Sequence, residues 1–464
     1  MLKERENLGW NVPGVYDARE QAGLQELNRQ CALINSEKIE DLQGIAAGKY
    51  DDHPGVQASR DEFGTHTPPV IVTEAASRKY SDIYDPDNPL YRDAEYARKM
   101  GYENAITMPG FGYNDHRFMF KMPPEMRDTM VVSGLYHELT FHRPQYPGDR
   151  LISIRDRQTY QDVTPKQGAH FHTFLLEDWG RVINQDGQLV MEVYDRVCES
   201  CASYIAPNPD GKPWMSAPWK ALRPAHFYTD QDWDYIKGLW QKEFRRGEEI
   251  LYWEDVSVGD EPAWTVEGPI DRSPQPEDHY GMGAKPARCS YRKEIMDPET
   301  AKTLVRSEKD GIYRAPGDLG IDPPDPSDPF PRSDDPNGDN RDIFINFLGR
   351  DLVCRAIYNW MGDHGYLYRL CWGIMPYLPT LEADIPQLPD AKHPLDQVPY
   401  MKGRTATTHG MHQDLAICKL YVTKKFEEDG AHYAELVWWI EEITGQVWIE
   451  GTAQVRLPSK NAQE

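Results

Sequence analysis

The sequence predicts an α+β chain built from two copies of one unit, each a helix followed by a long antiparallel meander. Three observations carry that prediction. Gly168-Ala169-His170-Phe171 recurs as Gly430-Ala431-His432-Tyr433, and Gly187-Gln188-Leu189-Val190-Met191-Glu192 recurs as Gly445-Gln446-Val447-Trp448-Ile449-Glu450. Both matches keep their order and lie near the end of each half, with the second interval four residues shorter; duplicated units leave weak traces of this kind. Leu348, Leu352, Val353, Ala356, Ile357, Trp360 and Met361 recur at helical spacing, and an amphipathic meander must cover its apolar face with such a helix.

Taken in order, residues 1–65 are polar, with one amphipathic stretch around Leu24–Ile45, and read as an extension packed on a domain. Thr73–Tyr84 reads as a helix. Asp85-Pro86-Asp87-Asn88-Pro89 stops it, because proline cannot continue a helix and disfavours helix in the residue before it. Asp93–Met100 reads as a second short helix. Strands follow at Leu151–Ile154, after the turn Pro147-Gly148-Asp149, and at Phe171–Leu176 and Leu189–Val197, with Gln185-Asp186-Gly187 as the turn between the last two. Residues 66–205 are thus the first domain. Residues 206–250 form a connector with Trp214, Trp219, Trp233 and Trp240, too aromatic for a loose tether and expected to lie against both domains. The second domain, 251–464, opens at Tyr252-Trp253-Glu254-Asp255-Val256. It is interrupted at 321–342 by seven Asp, six Pro and two Arg, a solvated loop. Its strands return from Leu415 to Val455.

Hydrophobic residues at 39% and charged residues at 27% exclude a disordered chain. Lys and Arg number 51 against 75 Asp and Glu, a formal charge of −24. That charge excludes nucleic acid or an anionic membrane as the main partner, but a small anionic ligand needs only a local basic patch. No apolar run is long enough to span a bilayer, and the first residues lack the apolar core of a secretory leader. Among seven cysteines the one close pair is Cys198 and Cys201. Without a second pair it reads as buried structural thiols in a cytoplasmic protein. His409 and His412, three apart and followed by Asp414, lack a third ligand, so no metal is expected. The pair Trp438-Trp439 reads as split between the two faces of a strand.

The most specific stretch is Asp85-Pro86-Asp87-Asn88-Pro89-Leu90-Tyr91-Arg92-Asp93. It resembles the hydratase motif of the MaoC-like family, Gly-Asp-x-Asn-Pro-x-His-x-Asp. Thr107-Met108-Pro109-Gly110-Phe111 resembles the approach to that family's central helix. Phe141-His142-Arg143-Pro144-Gln145-Tyr146-Pro147-Gly148-Asp149 resembles the strand and turn after it. In the second half, Trp253-Glu254-Asp255-Val256-Ser257-Val258-Gly259-Asp260 resembles a domain opening, and Asn359-Trp360-Met361-Gly362-Asp363 with Gly365 resembles the central helix of long members. The resemblance covers roughly 70–460. It implies a double hot dog, two antiparallel sheets each wrapping a central helix, and a homodimer. It also implies reversible hydration of a 2-enoyl thioester, usually of coenzyme A, with no cofactor beyond the coenzyme A of the substrate. In that chemistry an Asp and a His hold one water, while a backbone N–H polarises the carbonyl.

The chain departs from the motif at its reactive positions. Aligned on Asn88-Pro89, the family's Asp falls on Pro86 and its His on Tyr91, while Asn88 and Asp93 match. Asp85 and Asp87 are therefore the candidate carboxylates, with Asn88 and Tyr91 beside them and His116 or His137 as the candidate imidazole. Gly110, Arg143 and Arg150 are the candidate substrate-binding residues, since the arginine fork suits phosphate. The second half lacks the motif, and its substitutes are Glu277-Asp278-His279 or Asp363-His364. The expected function is a hydro-lyase acting on an α,β-unsaturated acyl-CoA; the aromatic-rich composition points to a bulky or cyclic acyl group. A thioesterase, or a thioester-binding protein that has lost its catalytic pair, are the alternatives.

Overall fold

The computed structural model describes residues 12–56, 61–62, 65–66, 70–111, 130–164, 166, 172–201, 226–270, 291–316, 346–373, 393–404 and 413–461. In chain order its main elements are α1 (Ala18–Ile34), β1 (Val70–Ile71), α2 (Glu74–Tyr84), α3 (Ala94–Lys99), β2 (Met130–Phe141), β3 (Arg150–Asp162), β4 (His172–Ile183), β5 (Leu189–Cys201), α4 (Asp230–Lys242), β6 (Thr265–Glu267), α5 (Arg292–Met296), α6 (Asn346–Met361), β7 (Tyr366–Gly373), β8 (Ala416–Glu428), β9 (Ala431–Glu441) and β10 (Val447–Arg456). The chain divides into two compact units. Unit 1 comprises 1–77, 110–218 and 368–392; unit 2 comprises 78–109, 219–367 and 393–464.

Unit 1 is an antiparallel sheet in the order β1-β3-β4-β5-β2-β7. The N-terminal extension packs on it as expected. Asp17 caps α1 through a reciprocal capping box with Glu20, and Leu27 of α1 seals Phe174 and Leu176 of β4. The chain then turns around the outer edge of β3. There the Asn35 amide donates to the Gln158 carbonyl at 2.8 Å and accepts from the Gln158 N–H at 2.8 Å, imitating a missing strand. Ile39, Ile45 and Val56 then cover Ile152, Ile154 and Ile183, which alternate with the residues under α1 and so lie on the other face. A strand edge that would otherwise offer free pairing groups is thereby blunted.

In unit 2 the order β6-β8-β9-β10 repeats that of β1-β3-β4-β5. The apolar spacing from 348 to 361 becomes α6, which packs across β8, β9 and β10. Gly349 permits the close approach, since a Cβ there would lie 2.9 Å from Ile449. Trp233, Ile236 and Trp240 of α4 are built into the core of this unit with Val266, Leu415 and Ile417. The described part of the aromatic connector therefore belongs to unit 2. The fold is α+β, a double hot dog. The residues after Phe111 expected to enter the first central helix, the acidic segment 321–342 and the first-copy anchor at 168–171 lie outside the described residues.

The duplication is visible in the backbone. Asn184 N–H donates to the Gln188 carbonyl and Gly187 N–H to the Asn184 carbonyl; Glu442, Gln446 and Gly445 repeat both bonds. A bulge adjoins each turn at matching positions, opposite Val182/Ile183 and Ile440/Glu441. A further correspondence escaped the sequence reading. Val72 N–H reaches the Asp149 carbonyl while Gly148 N–H reaches Val72, and Ile270, Asp414 and Gln413 form the same pair of bonds.

The interiors differ. Gln158, Asp178, Asp195 and His137 form one cross-strand row in unit 1, each at most 2% exposed. The matching row in unit 2 is Val422, Leu436 and Ala453.

Candidate active site

Helix α2 ends where the sequence demands, with the Asp85 N–H bonded to the Ser81 carbonyl just before Pro86. Asn88 caps a turn of 3-10 helix at Pro89–Tyr91; its Oδ1 accepts the Leu90 N–H at 3.0 Å and its Nδ2 donates to Asp85 Oδ2 at 3.0 Å. Asp93, which matches the family motif, caps α3 by accepting the N–H groups of Glu95 and Tyr96. Local capping chemistry therefore fixes the motif and turns Asp85 and Tyr91 inward.

Asp85 is 2% exposed. Burial raises its carboxyl to about 6, against the opposing pull of Arg355, Asn88 and Arg245, with Glu243 pushing the same way as burial. Tyr91 packs edge-on against Tyr358, ring centroids 6.1 Å apart. Its hydroxyl is buried and has no hydrogen-bond partner among the described residues. Burial, with Tyr358 and Asp85 nearby, holds that hydroxyl well above its usual range, so it remains a donor.

Arg245, from the segment after α4, ties the motif to the end of α6. Its Nη2 donates to Asn88 Oδ1 at 2.9 Å and to both Asp363 oxygens at 2.8 and 2.6 Å, and the Tyr96 hydroxyl donates to Asp363 as well. On α6, Arg355 pairs with Glu267 at 2.6 Å and Glu243 at 3.2 Å. A carboxyl that exchanges its proton near neutrality, oriented by an amide and set beside an unsatisfied hydroxyl donor, can perform acid–base chemistry on a bound polar group.

Of the residues singled out in the sequence, the structure brings together Asp85, Asn88 and Tyr91, and adds Asp363. Asp87 lies apart from them: its side chain is 69% exposed and pairs with Lys293 at 3.0 Å, because the turn that buries Asp85 sends the second residue after it outward. His137 belongs to unit 1, where its Nδ1 meets Asp195 Oδ1 at 2.7 Å and its ring stacks on Trp372. Arg143 and Arg150 also belong to unit 1. Arg143 lies over Tyr146 with Asp149 at 3.9 Å, and Arg150 is exposed with its N–H bonded to Gln185. Gly110 has the left-handed φ of +88° that glycine favours. His116, Glu277-Asp278-His279, His409 and His412 lie outside the described residues. A groove of about 730 Å³ on unit 1, lined by Glu138, Trp179, Glu192 and Tyr194 among others, contains none of the motif residues. Among the described residues no cluster of His, Cys, Asp and Glu suits a metal ion, and no helix is long and apolar enough to cross a membrane.

Sequence reading missed Arg245, Arg355, Glu243 and Tyr96. The available signal was charge in apolar company: Arg350, Asp351 and Arg355 interrupt the apolar spacing of α6, and Arg245-Arg246 stands out in an acidic chain.

Residues 62–193 match the model of a family described as the FAS1-like dehydratase domain region. A UPF0336 protein of Saccharopolyspora erythraea is 28% identical over 115 residues, covering 24% of this chain and 72% of that protein. Among solved structures, one described as a MaoC-like dehydratase is 16% identical, covers 84% of this chain and 96% of its own, and superposes with a TM-score of 0.42. A Mycobacterium tuberculosis protein described as having a double hotdog fold is 12% identical, with 84% and 94% covered and a TM-score of 0.41. The dehydratase region contains the whole motif segment, in agreement with the resemblance read from it.

Proposed function

We propose that this MaoC-like chain is a hydro-lyase that adds water reversibly across the double bond of a 2-enoyl thioester of coenzyme A, with Asp85 as its acid–base group. One observation carries the reading: within the matched dehydratase region, a buried carboxyl held at about 6 lies near a buried hydroxyl that has no hydrogen-bond partner among the described residues. In the hydration direction the Asp85 carboxylate takes a proton from water as the water oxygen bonds to C3. The same proton then passes to C2 as the enolate collapses, so one water is added and nothing else is consumed. Tyr91, at the position of the family's His, supplies the neutral donor for the substrate oxygen. Asn88, itself held by Arg245, keeps the carboxyl in place. Asp85 and Tyr91 are 2% and 3% exposed, so substrate reaches them only when the side chains above them move aside.

The test is to incubate the protein with a panel of enoyl-CoA and 3-hydroxyacyl-CoA substrates and follow product masses. Gain or loss of one water is expected, slowed by roughly 10²–10⁴-fold in Asp85→Asn. Release of free coenzyme A thiol would assign a thioesterase instead. Binding of the panel without turnover of any member would overturn the reading.

A further inference from the structure

The geometry points to Glu243 as a positioning residue that, through Arg355, sets the charge Asp85 experiences. The inference rests on the reading of Asp85 as the acid–base group and says how that group is tuned. Arg355 is the link. Its Nη1 donates to the carbonyl of Tyr84, the residue before Asp85, at 3.4 Å and to Glu267 at 2.6 Å, while its Nε faces Glu243 Oε1 at 3.2 Å. Glu243 is in turn gripped by Arg292 at 2.6 Å and by the Asn359 amide at 3.2 Å.

The groups that act on Asp85 come from every element around it. Tyr91 from the 3-10 turn and Cys354 from α6 stay neutral across the physiological range, because burial raises both. The charges are Arg355 from α6, and Arg245 and Glu243 from the segment after α4. Among the described residues, the carboxyls Asp85, Glu243, Glu267 and Asp363 meet the guanidinium groups of Arg245, Arg355 and Arg292. Asp85 is buried, and among the described residues it is the carboxyl of this set with no guanidinium in direct hydrogen-bond contact, so it is the one placed to hold a proton. Glu243 spends the charge of Arg355 and so leaves Asp85 able to hold that proton near neutrality.

The experiment reads Asp85 directly, on the full chain, as the infrared carbonyl band of a protonated carboxylic acid that vanishes in Asp85→Asn. Its titration midpoint should fall by about one pH unit in Glu243→Gln, which frees Arg355 to favour the carboxylate. It should rise in Arg292→Gln, which leaves the Glu243 charge to be offset by Arg355 alone. The pH profile of kcat/KM should move in the same two directions. Loosened packing would admit water and shift both variants the same way. Unmoved midpoints, or shifts of one sign, would overturn the inference, and Arg292→Gln alone decides if Glu243→Gln fails to fold, because admitted water only lowers the midpoint. The band titrates whether or not substrate turns over. Opposite shifts without turnover would therefore uphold the tuning while sinking the proposed reaction.

Discussion

Asp85 carries a cost that its neighbour Asp87 does not. An isolated aspartate titrates at 3.8 and this one at about 6. A carboxyl whose folded value is raised contributes stability that is intact below pH 3.8 and is lost as the pH climbs through 6. The loss reaches roughly 3 kcal/mol above that point. Asp85→Asn should therefore raise the melting temperature at pH 8, leave it unchanged at pH 4, and slow turnover by the same roughly 10²–10⁴-fold. Asp87→Ala should change stability by no more than about 0.5 kcal/mol and leave turnover intact. Thermal melts at the two pH values, with turnover assays beside them, check all of this. In the sequence both aspartates are candidates and Asp87→Ala is the natural test, because proline punctuation locates a turn without saying which residue faces in. Tyr91 was legible by its register with the missing His. Arg245 and Arg355 were not, since they arrive from segments far away in the sequence and only the packing brings them to Asn88 and Tyr84.

Between residues and the whole fold stand the two β-turns that repeat. Gly187 and Gly445 hold the same left-handed conformation, φ +72° and +86°, and end the same hydrogen-bonded loop. Alanine at either position pays about 1 kcal/mol for the backbone. At Gly187 the added Cβ would also sit 2.6 Å from the Gln43 backbone of the wrapped extension, whereas at Gly445 the nearest atom is the tip of Arg404, 4.0 Å away. Gly187→Ala should thus cost about 1–3 kcal/mol more than Gly445→Ala in urea unfolding. Equal costs would mean that the extension does not press on this turn. Both turns were readable because glycine marks a positive φ. The third correspondence was not, because Gln413 adopts φ +74° where the first copy has Gly148, and composition gives no warning of it.

At the scale of the molecule, the duplication and the helix of the second copy were legible in periodicity alone. The assignment of the motif was not. Sequence order places residues 78–109 with the first copy, yet their contacts belong to unit 2, since Tyr80, Asn88 and Tyr91 find their partners on α6 and after α4. The duplication also supplies an internal control for the buried row of unit 1. Val422, Leu436 and Ala453 show that this architecture closes with apolar side chains alone, each large one worth about 1.5–3 kcal/mol. Unit 1 gives up that gain at Gln158 and Asp178, and sets Asp178 across from a second carboxyl, Asp195. Its strands should accordingly open first. In native-state hydrogen exchange the amides of β4 and β5 should lose protection at lower denaturant than those of β9 and β10, making one hot dog a late-melting foldon and its twin an early one.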